Sequence, residues 1–269
     1  MLRAPKQLAR NYAVGMCAGY GLELRGPNSD RGDRVGLRGP IPPGDTPEGR
    51  ALLEAWVVER GGRARITGSK ARNLNPLIRA GDGERELALA WWWLHVGGAP
   101  AKFTAFNARS DRLLSSWHGP FQHRALLPAS WYVEKGVRFA LPGGEEFGMA
   151  AVTAPVAAVD AGEAAVAGDT GLDSYALVTR GALGGAAEIH DRMPLVLPRA
   201  LHDEWLDPER AGDAELVRKV VSVSEEISRE LLGIGPDAAE GSVGSGGSAG
   251  SGGSRGFGGS QAAEHPRLF

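Results

Sequence analysis

Short apolar runs, unevenly spaced and broken by glycine, proline and charge, limit what this chain can fold into. Residues 87–94 are apolar and aromatic and read as a buried strand. Further strand-like runs lie near 103–107, 124–128, 137–141, 147–153 and 174–179. Helical signals are fewer. Thr46-Pro47-Glu48 offers an N-cap, a first-turn proline and an acid at the positive end of the helix dipole. Leu52, Leu53, Trp56 and Val57 supply the apolar stripe, and Gly61-Gly62 ends the helix. Residues 199–206 and 213–232 also read as helical, the second with Leu216, Val217, Val220, Ile227 and Leu231 on one face. Strands and helices do not alternate regularly, which argues for an α+β fold rather than a doubly wound sheet.

Composition narrows the class. With 42% apolar and 23% charged residues the chain is ordinary globular material. No apolar run approaches the roughly 18 residues of a membrane helix, and residues 1–15 lack a signal-peptide core, so no membrane partner and a cytoplasmic location are expected. Gly and Ser dominate residues 241–260; such a segment cannot bury enough apolar surface to order itself, so 234–269 is expected to be a disordered tail. The loop 26–44 is rich in Gly, Pro and Arg. The net charge of -2 hides a split. Residues 1–139 carry 21 Lys and Arg against 12 Asp and Glu, a net of +9, whereas residues 140–240 carry 7 against 19, a net of -12. A basic half suits a polyanionic partner, or simply neutralises the acidic half within the fold.

Cys17 is the only cysteine. It cannot form an internal disulfide, and it reads as a small buried hydrophobe or as a nucleophile. It follows Met16 directly. Were it made N-terminal, its thiol and α-amine together could close a thiazolidine ring on an aldehyde. Four further segments carry chemistry. Asn107 and Arg109 share one side if extended, and an amide beside a guanidinium grips a phosphate or sugar oxygen, or a surface salt bridge. Glu134, beside Tyr132 and Val133, is either a desolvated proton carrier or a partner for Lys135 or Arg138. His190, in Ile189-His190-Asp191-Arg192-Met193-Pro194, is a structural residue or a proton carrier. Trp92, the middle of three tryptophans, is core or a stacking platform for an unpaired base. The six histidines show no metal-ligand spacing with Cys17, so neither a metal nor a cofactor is expected.

In this order these segments resemble the SRAP family, the SOS response-associated peptidases that process abasic sites. The likeness is carried by Met16-Cys17, the strand through Trp92–Leu94, Asn107-Ala108-Arg109, the Arg124–Glu134 run, Thr179 and the segment 189–194, across residues 16–206. It implies one SRAP-like domain over 16–233, a barrel-like core of twisted, mostly antiparallel strands with a few flanking helices. It further implies a monomer acting on single-stranded DNA that contains abasic sites, associated with the nucleoid in a bacterium. Cys17 would become N-terminal, form a Schiff base with the opened deoxyribose and close a thiazolidine. Glu134 and His190 would move protons, and Asn107 would orient the α-amine. Arg109 would hold the phosphate beside the lesion, and Trp92, Thr179 and Arg124 would be further DNA-binding residues.

The chain departs from the family pattern in places. An arginine is missing from the head, where Ala18-Gly19 follow Cys17, and Arg25 is one replacement. Trp131 replaces a glycine, and Lys135 an aromatic residue. Residues 1–15 are a mis-assigned start, a propeptide, or an extension that blocks the chemistry. The alternatives are a relative that binds single strands without covalent capture and a cysteine hydrolase using Cys17, His190 and Glu134.

Overall fold

The computed structural model describes residues 17–24, 39–66, 68–69, 72–157 and 172–237. The expected extension 1–15, Met16, Arg25 and the Gly-Ser tail all lie outside these residues. The chain divides into two units, 1–237 and 238–269, and the second lies wholly outside the described residues.

In chain order the strands are β1 (Gly19–Gly21), β2 (Arg63–Arg65), β3 (Leu74–Ala80), β4 (Arg85–Trp92), β5 (His95–Val96), β6 (Ala99–Pro100), β7 (Asn107–Arg109) and β8 (Arg124–Ala129). They continue as β9 (Trp131–Glu134), β10 (Val137–Ala140), β11 (Phe147–Pro155), β12 (Asp173–Gly181), β13 (Arg192–Pro194), β14 (Val196–Leu197) and β15 (Leu232–Pro236). The α-helices are α1 (Pro47–Arg60), α2 (His202–Leu206), α3 (Ala214–Val223) and α4 (Glu225–Glu230).

A ring of strands forms the centre. β12 pairs with β4, β4 with β3, β3 with β8, β8 with β11, and β11 returns to β12. Only the β12–β4 contact in this ring is parallel. The barrel-like α+β expectation is thus met. β7, β13 and β14 extend the ring at β12 and β11. A second sheet runs β15-β10-β9-β1-β2. Along β8, β11 and β12 alternate residues enter two cores. Ala125, Leu127, Met149, Ala151, Tyr175 and Leu177 join one, with Cys17, Tyr20 and Tyr132. Leu126, Ala150, Val152, Ala176 and Val178 join the other, with Phe121, Trp205 and Leu216. Burial on both faces explains why these strands read as continuous apolar runs in sequence.

α1 follows its signals closely. Thr46 Oγ1 accepts from the Gly49 N–H, and Gly61 closes the helix at φ +63°, a left-handed turn that glycine adopts at little cost. Three expectations shift. The run near 103–107 is loop until Asn107, because the strand forms only where β7 can pair with β12. The helix expected over 213–232 breaks at Ser224 and ends at Glu230. Beyond it, Gly233, Gly235 and Pro236 favour extended chain, and β15 pairs with β10. Asp237 then receives the Arg63 guanidinium, at 2.5 and 2.6 Å. Strand therefore runs through Pro236, past the domain end expected at 233. Among the described residues no helix is long and apolar enough to cross a membrane.

Candidate functional site

Cys17 stands immediately before β1, and β1 pairs with β9 in the register Gly19↔Val133 and Tyr20↔Tyr132. That register brings the end of β9, and Glu134, to the cysteine. Cys17 is 1% exposed. Its thiol donates to the Gly19 carbonyl at 3.4 Å. Burial, and then the nearby Glu134 charge, push the thiol well above its ordinary pKa.

Asn107, buried in β7, donates its amide to the Cys17 carbonyl at 3.1 Å. The parallel pairing of β7 with β12, Leu177↔Asn107 and Thr179↔Arg109, aims it there. The amide therefore grips the carbonyl side of Cys17.

Glu134 is only 4% exposed, and burial holds its carboxyl above the usual range despite the opposing pull of His190. A carboxyl so placed retains its proton to higher pH than a free glutamate. His190 Nδ1 is 4.0 Å from Glu134 Oε1 and 3.1 Å from Asp191 Oδ1. The Arg192 N–H also approaches that nitrogen, at 3.1 Å. The fold thus brings together Cys17, Asn107, Glu134 and His190, the four residues expected to carry the chemistry.

Among the described residues, three buried side-chain atoms around Cys17 have no hydrogen-bond partner, Asn107 Oδ1, Glu134 Oε2 and the Tyr132 hydroxyl, and Arg192 Nε beyond them is likewise unpaired. Native interiors rarely leave such groups unpaired. Around one cysteine, they mark unused capacity for a polar ligand.

The residues expected to hold the strand divide. Arg109 is half exposed and clasps Asp111 through Nε and Nη2, at 3.0 and 2.7 Å. Hydrogen bonding between the two raises the guanidinium pKa and lowers the carboxyl pKa. Thr179 is buried, and its Oγ1 accepts from Arg192 at 3.2 Å. It thus contacts Arg192, which also lies 3.9 Å from Asp111. Arg109 and Arg192 therefore bracket one carboxylate. Arg192 was visible in the 189–194 segment but carried no separate signal.

Two expectations are corrected. Trp92 is 0% exposed; it stacks on Tyr175 at 6.0 Å and packs on Tyr20 at 5.0 Å. Its indole N–H donates to the Phe106 carbonyl at 2.9 Å. Ring pairing of this kind stabilises a core and leaves no face for a base. Arg124 is also buried. It donates to the carbonyls of Trp205, Phe121, Asp207 and Arg210, between the Phe121 and Trp205 rings. A guanidinium held this way has no reach toward a phosphate.

The departure at Trp131 has a structural counterpart. Trp131 lies opposite Gly21, where an added Cβ would come within 2.1 Å of the indole. Arg138 and Arg63 sit over the ring at 4.1 and 4.8 Å, a cation–π arrangement.

The tyrosines were not singled out in the sequence. The Tyr20 and Tyr175 hydroxyls share a 2.6 Å hydrogen bond, and Tyr132 stacks on Phe139 at 5.1 Å. Tyr132 was legible in principle, since it is two residues from Glu134 in a strand and so on the same face. Among the described residues no group of three or more His, Cys, Asp and Glu comes together to hold a metal ion.

The family pattern described as SOS response associated peptidase (SRAP) matches residues 69–231. No curated protein matches the sequence. Among solved structures, the chain is similar to a Bordetella bronchiseptica protein at 20% identity and TM-score 0.47, over 74% of this chain and 92% of that one. A phage-related protein of the same organism matches at 22% identity and TM-score 0.44, over 65% and 86%. A Bacteroides thetaiotaomicron protein matches at 17% identity and TM-score 0.44, over 58% and 72%.

Proposed function

The chain belongs to the SRAP family, the SOS response associated peptidases, and from that premise we propose that it captures abasic sites in single-stranded DNA as a covalent thiazolidine on Cys17. The reading rests on the orphaned polar atoms of Glu134 and Asn107, converging on the one cysteine of the chain. Removal of Met16 and any preceding residues frees the Cys17 α-amine, a peptide-bond cleavage consistent with the peptidase of the family name. With a pKa near 8, a useful fraction of that amine is neutral at pH 7.

The amine nitrogen attacks the aldehyde carbon of the opened sugar, and water leaves as the C=N bond forms. Glu134, whose carboxyl burial holds above the usual range, donates in its protonated form to the departing hydroxyl. The thiol then adds across the C=N bond, sulfur to carbon and proton to nitrogen. Both nucleophiles sit on one residue, so this closure is intramolecular. Asn107 fixes the backbone of Cys17 during both steps. His190 accepts and returns protons beside Glu134 and steadies the sugar oxygen. Arg109 supplies a salt-sensitive phosphate contact, in exchange for its Asp111 partner.

A cysteine hydrolase fits less well. The Cys17 thiol donates to a backbone carbonyl rather than to His190, and the Arg192 N–H approaches His190 Nδ1. The nucleophile–base contact of such enzymes is thus unformed.

The test is intact mass spectrometry before and after incubation with a single-stranded oligonucleotide containing one abasic site. A mass beginning at Cys17, followed by one denaturation-resistant adduct per protein, is expected. An intact mass from residue 1 with no adduct would overturn the proposal and leave a non-covalent strand binder.

A further inference from the structure

The chemistry proposed above leaves one buried group at the site without a task. Tyr132 is 0% exposed, and among the described residues its hydroxyl has no hydrogen-bond partner. Its cross-strand neighbour Tyr20 is already satisfied by Tyr175. Of the three orphaned atoms, Asn107 Oδ1 can only accept, and Glu134 Oε2 can only accept once ionised. The Tyr132 hydroxyl alone among them is a standing donor.

The acceptor that needs a donor is sulfur. While protonated, the Cys17 thiol donates to the Gly19 carbonyl. As sulfur gains negative character it can no longer donate, and the carbonyl oxygen repels it. Backbone groups of Gly19 and Val133 offset part of the charge on sulfur, and in a buried site a side-chain donor adds what solvent would otherwise supply. Tyr132 belongs to the same apolar core as Cys17 and shares its strand face with Glu134. Both Cys17 and Glu134 act electrostatically on the hydroxyl, after burial itself, and all three push its pKa up. The hydroxyl therefore stays protonated, as a donor must. The stacked Phe139 ring sets the direction of the phenol.

We infer that Tyr132 is a further catalytic residue, donating a hydrogen bond to the Cys17 sulfur as it turns from the Gly19 carbonyl to close the ring. This rests on the proposed thiazolidine chemistry, to which it adds one contact. The balance is simple: the C–S bond forms, the C=N π bond breaks, and the thiol proton passes to nitrogen. The Tyr132 proton stays on its oxygen, and nothing is oxidised or reduced.

Tyr132→Phe keeps the ring and its stacking, so it isolates the hydroxyl. Two readouts apply. The first needs no DNA: because Cys17 is the only cysteine, single alkylation by iodoacetamide, followed by intact mass against pH, reports its thiolate. At a fixed pH below the midpoint the alkylation rate should be about tenfold lower in Tyr132→Phe. Site-specific 3-fluorotyrosine at position 132, a stronger donor, should raise it. The second uses the abasic oligonucleotide with borohydride trapping of the open imine. Imine formation should match wild type while ring closure slows about tenfold. Tyr20→Phe should change neither. Alkylation profiles unchanged in both Tyr132 variants would overturn the inference. If wild type forms no adduct but the alkylation shifts appear, the proposed function fails and the Tyr132–Cys17 contact stands. If wild type crosslinks and Tyr132→Phe closes equally fast, the reverse holds.

Discussion

Two buried polar clusters in this molecule differ in one respect. Arg124 spreads its guanidinium over four backbone carbonyls. Glu134, Asn107 and Tyr132, around Cys17, each keep a buried polar atom with no partner. Both clusters cost desolvation, but only in the first does every side-chain nitrogen find a hydrogen-bond partner. A saturated polar cluster is a structural device. An unsaturated one beside a nucleophile is waiting for a ligand.

That contrast can be broken most directly at Arg124. Arg124→Leu strands four carbonyls and should lower the unfolding free energy by about 4 kcal/mol in urea titration. Strand affinity of the remaining folded protein should not change. A lost affinity without lost stability would move Arg124 to the functional side.

His202 belongs with the saturated groups. It is buried, and its Nε2–H donates to the Leu197 carbonyl at 3.1 Å. Burial pushes its pKa down from 6.5 to about 4. The unfolded chain then binds a proton that the folded chain refuses, so stability is complete above about pH 6.5 and falls as pH drops toward 4. The loss should reach about 3 kcal/mol by pH 4. His202→Gln should flatten that slope in pH-dependent thermal melts; an unchanged slope would assign it to another group.

At the unsaturated cluster the effect should appear in rate. Glu134→Gln should slow adduct formation about a hundredfold without lowering the melting temperature, because a buried carboxyl gives way to a neutral amide. The wild-type rate of imine formation should fall as pH rises through the elevated Glu134 pKa. Equal rates in wild type and variant would remove Glu134 from the chemistry.

The smallest effect is expected at the surface. Asp111 competes with phosphate for Arg109, so Asp111→Asn should tighten binding of undamaged single strands severalfold. Arg109→Ala should weaken it by a similar factor and reduce the log–log salt slope by about one. No change in either would make the pair structural.

Much of this was legible beforehand. The α1 caps, the strands at 124–129, 137–140, 147–155 and 173–181 and the α+β class follow from local chemistry and apolar runs. The segments holding Cys17, Asn107, Glu134 and His190 were visible because their residue types are reactive and their neighbours distinctive. The end of the last helix was misjudged because its apolar face continues to Leu231, and only the pairing of β15 with β10 shows where helix gives way to strand.

What the sequence determined by itself was therefore the inventory: one thiol, the carboxyl and imidazole able to serve it, and enough strand-forming chain for an α+β core. Tertiary structure decided which polar groups are spent and which are free. Trp92, Arg124 and Arg109 look alike in a sequence as groups able to meet a nucleic acid. The fold buries the first against Tyr175, saturates the second with carbonyls, and leaves the third at the surface with Asp111. It likewise leaves the Tyr132 hydroxyl unpaired while joining those of Tyr20 and Tyr175. The physical reason is that hydrogen-bond satisfaction belongs to pairs of groups, and those pairs span separations such as the 90 residues between Cys17 and Asn107.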